Sequence, residues 1–201
     1  MRSRGEDATS QSDRKPLWFA TENSHKFQEA RTILSSYGIK VRQLRRRKTE
    51  IQSDNLEEIA KFAAKALSRN HEGRVLVEDS GLFIPTLKGF PGPYSSYIYK
   101  TLGLEGVLRL MDNSQDRKAY FQSTIAIRLE DGTSRTFSGR VYGTISRKVR
   151  GKSGFGFDPI FVPERESRTF GEMTQAVKNK CSHRARTFEE FAKWYLLPLA
   201  F

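Results

Sequence analysis

Residues 75–97 read VLVEDSGLFIPTLKGFPGPYSSY, and their order decides the fold class. Val75, Leu76 and Val77 form a short apolar strand, Glu78 and Asp79 follow at its carboxyl end, and Ser80-Gly81 supplies a turn. In an open α/β sheet the carboxyl ends of strands border the ligand crevice. Two adjacent acids there suit a metal ion or a general base. The same acid-Ser-Gly composition also suits a solvated turn, and the pair alone leaves both readings open. The loop Gly89-Phe90-Pro91-Gly92-Pro93 mixes residues of free and fixed φ, so it holds one shape, which favours a site.

Upstream, Leu17–Ala20 is a buried-type strand, and Thr21-Glu22-Asn23-Ser24 offers capping groups to a helix with Phe27, Ala30, Ile33 and Leu34 on one face, ended by Gly38. A strand running into a helix start presents free amides and the positive end of the helix dipole, which suit a phosphate. Lys26 in that first turn opposes the dipole by roughly 0.3–1 kcal/mol. It reads either as facing an anion or as an ordinary exposed lysine. Residues 39–44 form a second strand. Residues 55–69 form a second helix with Leu56, Ile59, Ala63 and Ala66 as its buried stripe and Phe62 and Leu67 beside it. The dipole accounts for Glu57 and Glu58 in its first turn. Glu50 precedes the helix, lies outside the stripe, and is a candidate ligand or a solvated loop acid.

Downstream, residues 104–111 read as helix, and residues 118–129 as a strand with Tyr120, Gln122, Thr124 and Ala126 on one side. Asp131-Gly132 turns the chain back into a partner strand over 133–145, which extends the sheet or forms a second lobe. The glycine-punctuated loop KSGFGFDP (152–159) leads into a strand over 160–162. It is no phosphate loop of Walker type, which needs Gly where Ser146 stands, and no dinucleotide fingerprint, which needs Gly where Pro159 stands. What survives is Phe155 and Phe157 held between glycines, a clamp for a flat base or a pair of core rings. Lys178 precedes a last helix capped by Ser182, with Ala185, Phe188, Ala192, Tyr195 and Leu196 facing inward. His183 and Arg184 put cations at its amino terminus, repeating the anomaly at Lys26. His25, His71 and His183 have no metal-ligand spacing, and Cys181 is alone, so no internal disulfide forms.

With 201 residues, 37% hydrophobic and 29% charged, the chain can bury a core as one large domain or two small lobes. It has no apolar run of about 18 residues that could span a membrane. Residues 1–15 are polar, lack the apolar core of a secretory signal and read as a disordered tail, which makes 16–201 the folded domain and the protein cytoplasmic. A formal charge of +12, densest at RQLRRRK (42–48), attracts polyanions, which fits a nucleotide enzyme or a nucleic-acid-binding protein. No zinc-finger spacing or recognisable nucleic-acid module supports the second.

Six blocks resemble, in order, those of the inosine/xanthosine triphosphate pyrophosphatases: TENSHK (21–26), EIQ (50–52), VEDSGL…LKGFPGPYS (77–95), GFGFDPIFVP (154–163), TFGEM (169–173) and KNKCSHRARTF (178–188). The resemblance covers about residues 17–197 and is nearest the archaeal members. It implies an α/β fold, an elongated central mixed sheet flanked by helices, with two lobes and the nucleotide site in the cleft between them. It implies cleavage of ITP, dITP and XTP to the monophosphate and pyrophosphate, with Mg2+ as cofactor, in a homodimer to which residues 94–99 contribute. Asp79 would be the catalytic acid-base residue and a magnesium ligand, Glu50 the second metal contact, and Ser80 a substrate contact. Thr21, Glu22, Asn23, Ser24, His25 and Lys26 would cradle the triphosphate. Phe155, Gly156, Phe157 and Asp158 would form the base site, and Lys178, His183 and Arg184 would complete base and phosphate recognition, with Lys26 and Lys178 neutralising the leaving pyrophosphate. A family lysine in the second helix has Lys65 as its nearest counterpart. Gly171 replaces a more usual alanine, Phe157 a frequent Trp and Cys181 a small aliphatic, and the first two would loosen the base pocket. A pyrophosphatase of other modified dNTPs and a non-enzymatic polyanion-binding protein are the alternatives.

Overall fold

The computed structural model describes residues 16–197 except 70, 72 and 130. The expected tail, residues 1–15, and the last four residues of the expected domain lie outside the described residues. The chain runs β1 (Leu17–Ala20), α1 (Ser24–Ser36), β2 (Val41–Leu44), α2 (Leu56–Ser68), β3 (Arg74–Phe83), β4 (Pro91–Gly92), α3 (Ser95–Thr101), α4 (Gly103–Leu110), β5 (Lys118–Arg128), β6 (Ser134–Ile145), β7 (Phe161–Pro163), α5 (Gln175–Lys178) and α6 (His183–Leu196). The strands make one open mixed sheet in the order β2-β1-β3-β5-β6-β7, with β4 added to the end of β3. β1 pairs parallel with β2 and β3, and the remaining pairings are antiparallel.

β3 corrects the reading of its own stretch. Glu78-Asp79-Ser80-Gly81 makes no turn, because the strand continues to Phe83. The neighbouring pairing explains why a site opens there. β1 ends at Ala20, opposite Val77, so Glu78 and Asp79 are the first residues of β3 with no β1 beside them. β5 continues to pair across Glu78–Phe83. Gly81 serves close approach: a Cβ at this position would lie 2.2 Å from the Gly92 carbonyl oxygen of β4. The turn falls instead in the Gly-Pro loop, where Ser95 Oγ accepts from the Leu82 amide (2.8 Å) and donates to the Gly92 carbonyl (2.7 Å).

One apolar cluster joins β1, α1 and α6 around Phe19, Leu34, Leu76, Phe188 and Phe191. A second lies at the far end of the sheet around Leu82, Phe121, Phe161 and Phe170. α2 contributes a third with Ala60, Ala63, Ala64 and Leu67. The α2 stripe keeps the expected Leu56, Ile59, Ala63 and Leu67 and widens on one side: Ala60 and Ala64 are also buried, while Ala66 is half-buried and Phe62 is 41% exposed. Small residues face the sheet because the helix lies close against β3 and β5, and Phe62 is too large for that seam. The α3 helix was not anticipated, since its Ser- and Tyr-rich sequence carries no strong helical period. Among the described residues no helix is long and apolar enough to cross a membrane.

Candidate active site

Ten of the sequence-selected residues meet at one cleft of about 290 Å³: Asn23, Lys26, Ser80, Phe155, Gly156, Phe157, Asp158, Lys178, His183 and Arg184. Ser95, Ser96, Tyr99 and Lys100 form its opposite wall, so the loop after β3 and the start of α3 bound the site. The loop between β1 and α1 supplies the other rim. Asn23 caps α1 by accepting from the amides of His25 (2.9 Å) and Lys26 (3.2 Å), and Thr21 Oγ1 accepts from the Asn23 amide at 3.1 Å. Thr21 is thereby a buried loop-holding residue. Glu22 and Ser24 are exposed and do not line the cleft. His25 is exposed and stacks on Phe155, with ring centres 5.4 Å apart.

A chain of alternating buried charges runs behind the cleft. Asp158 Oδ2 accepts from Lys178 Nζ (2.6 Å) and from the Phe155 amide (2.7 Å), which fixes the base loop to α5. Lys178 also donates to Glu29 (2.9 Å), and Arg184 donates to Glu29, to Glu78 (3.0 Å) and to Ser80 Oγ (3.2 Å). Glu78 closes the chain, with its second oxygen 2.8 Å from Lys26 Nζ and a further hydrogen bond from Ser123 (2.8 Å). Burial alone would raise the Glu29 carboxyl, but Arg184 and Lys178 outweigh it and hold the group down at about 2. Glu78 is likewise lowered, Arg184 and Lys26 outweighing its burial.

This chain answers the anomalies at the helix starts. Lys26 faces an anion, but that anion is Glu78. Arg184 is balanced by Glu29 and Glu78. His183 is buried, stacks on Phe121 with ring centres 4.7 Å apart, and its burial, with Arg184 and Lys178 nearby, pushes its pKa well below the ordinary value. It is a neutral imidazole at pH 7, not a second cation. Lys178 is only 2% exposed, is held between Glu29 and Asp158, and lies over the Phe155 ring at 4.7 Å. Arg184 also approaches that ring, at 5.5 Å. Phe157, expected in the base site, borders the cleft but is 3% exposed and packs edge-on against Tyr99 and into the far core cluster. Gly171 opens no space in the pocket, because a Cβ there would lie 2.7 Å from Pro159 Cα.

Asp79 points to the other face of β3 from Glu78, as strand alternation requires, and there it meets Glu50. Lys48 Nζ sits between them, 3.2 Å from Glu50 Oε1 and 3.6 Å from Asp79 Oδ1, and donates to the Glu78 carbonyl at 3.1 Å. Burial raises the Asp79 carboxyl above its ordinary value, with Lys48 and Lys26 pulling the other way. Burial would lower Lys48, but Asp79, Glu50 and Glu78 outweigh it and raise it. Two carboxylates converging on one cation form a hard oxygen donor set, as Mg2+ requires. Among the described residues no group of three or more His, Cys, Asp or Glu could hold a metal. An ion here would therefore take its remaining ligands from water and substrate, as Mg2+ commonly does with phosphates. Lys65 is exposed on α2 and meets none of these groups.

Sequence reasoning missed Glu29 and Lys48. Glu29 follows Lys26 by three residues and precedes Ala30 and Ile33 on the same helical face, so an acid inside the apolar stripe was its signal. Lys48 was absorbed into the basic run, although in extended chain residues 48 and 50 share a side.

A model of the Ham1 family matches residues 17–194. The dITP/XTP pyrophosphatase of Thermococcus kodakarensis is 49% identical over 178 residues, covering 89% of this chain and 96% of its own. That of Ignicoccus hospitalis is 49% identical over 180 residues, with the same coverage of both chains. Among solved structures, a HAM1 protein from Coxiella burnetii superposes with a TM-score of 0.79 at 28% identity, covering 90% of this chain and 98% of its own. The Staphylococcus aureus Ham1 protein gives 0.78 at 26%, with the same coverage.

Proposed function

The chain belongs to the Ham1 family, and from that premise we propose that it hydrolyses non-standard purine nucleoside triphosphates, dITP, ITP and XTP, to the monophosphate and pyrophosphate. One observation carries the reading: a cation-lined aromatic cleft, with Phe155 against Lys178 and Arg184, has in its lining Ser80, the residue after Asp79, and Lys26, whose charge acts on Asp79, and Asp79 and Glu50 share one cation. The first suits a purine base and the second a metal-bound phosphate.

Magnesium held by Glu50 and Asp79 would neutralise charge on the triphosphate and polarise the phosphorus under attack. Asp79 orients and deprotonates the attacking water, a role helped by burial that raises its basicity. Neutralising the departing pyrophosphate falls to Lys26 and Lys48, the two lysines near Asp79. Ser80, held by Arg184, positions substrate. Asn23, whose Oδ1 is engaged in the cap, offers its Nδ2 amide to the phosphates, and the positive end of the α1 dipole favours them there. At the base end, donors matched to a 6-oxo group are left unpaired by the 6-amino group of adenine, a mismatch worth up to roughly 10⁴–10⁵ in rate.

A panel of dITP, ITP, XTP, dATP and dGTP under pairwise competition tests the reading; a preference for dATP would contradict it. Phe155→Ala should raise KM more than it lowers kcat, since stacking on an aromatic ring contributes about 1–3 kcal/mol per base. An unchanged KM would make Phe155 a packing residue only. Tyr94, Tyr97, Tyr99 and Leu102 are exposed together around α3 and support a homodimer through this face, which sedimentation would check. A cytoplasmic location agrees with a free-nucleotide substrate.

A further inference from the structure

Lys48 has contacts in the site that a charge aimed only at the leaving pyrophosphate would not need. Its ammonium lies within ion-pair distance of both proposed metal ligands, and its third contact is the backbone carbonyl of Glu78, the residue before Asp79. Its side chain is only 14% exposed, so this is a seated group and not a passing surface contact. A divalent ion between the same carboxylates would approach oxygen to about 2.0–2.1 Å. A lysine ammonium in that position would repel it strongly. The two cations therefore exclude each other. The protein also offers the ion only two carboxylates, since no group of three or more metal-ligating side chains exists among the described residues. An incoming triphosphate supplies both missing things: oxygen ligands for the metal and a new anionic partner for Lys48.

We propose that Lys48 is a positioning residue that holds Glu50 and Asp79 together in the substrate-free enzyme and occupies the metal position, so that the divalent ion enters with the nucleotide and not before it. This rests on the reading of Glu50 and Asp79 as metal ligands. Binding of metal and nucleotide is then reciprocally coupled, and the enzyme holds no bare metal-activated water in the absence of substrate.

The test is Mn2+ binding to the full chain, read by the electron paramagnetic resonance of free Mn2+, with and without a non-hydrolysable α,β-methylene analogue of inosine triphosphate. The wild type should bind Mn2+ weakly alone and about 5- to 150-fold more tightly with the analogue, the usual range of such coupling. Lys48→Met should tighten Mn2+ binding to the nucleotide-free protein by about tenfold, because the competing charge is gone. Lys48→Gln should do the same and serves if the first variant misfolds. A lysine that only tied the loop to β3 would predict the opposite sign, since its loss would splay the carboxylates and weaken the ion. Unchanged or weaker nucleotide-free binding in folded Lys48 variants overturns the proposal, as does equally tight wild-type binding with and without the analogue. Asp79→Asn separates the two levels. If it keeps wild-type binding with the analogue, the metal reading itself fails, whereas a failure confined to the Lys48 variants leaves that reading standing.

Discussion

Asp79→Asn is expected to lower kcat/KM by about 10²–10⁴, the contribution of a positioned general base, while the protein stays folded. Both halves follow from the same geometry. Asp79 sits in β3 between pairings to β5, its side chain 13% exposed, and asparagine preserves its shape. Burial raises its carboxyl, so its negative charge is a cost to the folded state that asparagine removes. The thermal midpoint should therefore hold or rise as activity is lost, a trade expected of a charge kept for chemistry. Near-wild-type turnover of dITP by the folded variant would remove Asp79 from the reaction. A large fall in the midpoint would instead show that the Asp79–Lys48 ion pair outweighs the burial of the charge.

The second large effect is on stability. Glu29→Gln leaves Lys178 and Arg184, 2% and 1% exposed, each with one remaining carboxylate instead of two. Removing one partner of a buried charge set costs about 3–5 kcal/mol. By contrast, Glu57→Gln breaks the exposed Glu57–Lys61 pair and removes a charge favoured by the α2 dipole, while its amide oxygen can still accept from Thr136, for a total of about 1 kcal/mol. Urea unfolding of the two variants at pH 7 compares them directly, and equal effects would contradict the buried network. The pH dependence has a definite sign. Folding lowers the Glu29 carboxyl from 4.5 to about 2. Its ionisation thus contributes stability, on the order of 3 kcal/mol, that is full above pH 4.5 and is lost as pH falls toward 2. Glu78 acts in the same direction. Glu29→Gln should flatten part of that acid limb.

Much of this architecture is legible in residue order because it is local. The β1–α1 unit, its Asn23 cap, the Ser182 cap of α6 and the β5–β6 hairpin each follow from spacing over a few residues. The site residues that the sequence brings forward are those with an unusual local setting, such as cations at helix starts and aromatics between glycines. What stays hidden is set by pairing across the chain. β3 runs through Glu78–Gly81 without turning because β5 and β4 pair with it there, and Gly81 exists for the Gly92 carbonyl eleven residues on. The function of Glu29 depends on partners about 150 residues away. Lys48 is indistinguishable from Arg45, Arg46 and Arg47 until folding sets it between Glu50 and Asp79, while those three stay exposed.

The central claim is hydrolysis between the α and β phosphates by the Asp79 side of β3. The most direct measurement follows dITP and XTP turnover with Mg2+ while quantifying pyrophosphate and orthophosphate separately, without any added pyrophosphatase. One pyrophosphate and one nucleoside monophosphate per turnover, with no orthophosphate, are expected. Orthophosphate and a nucleoside diphosphate as the direct products would contradict the claim.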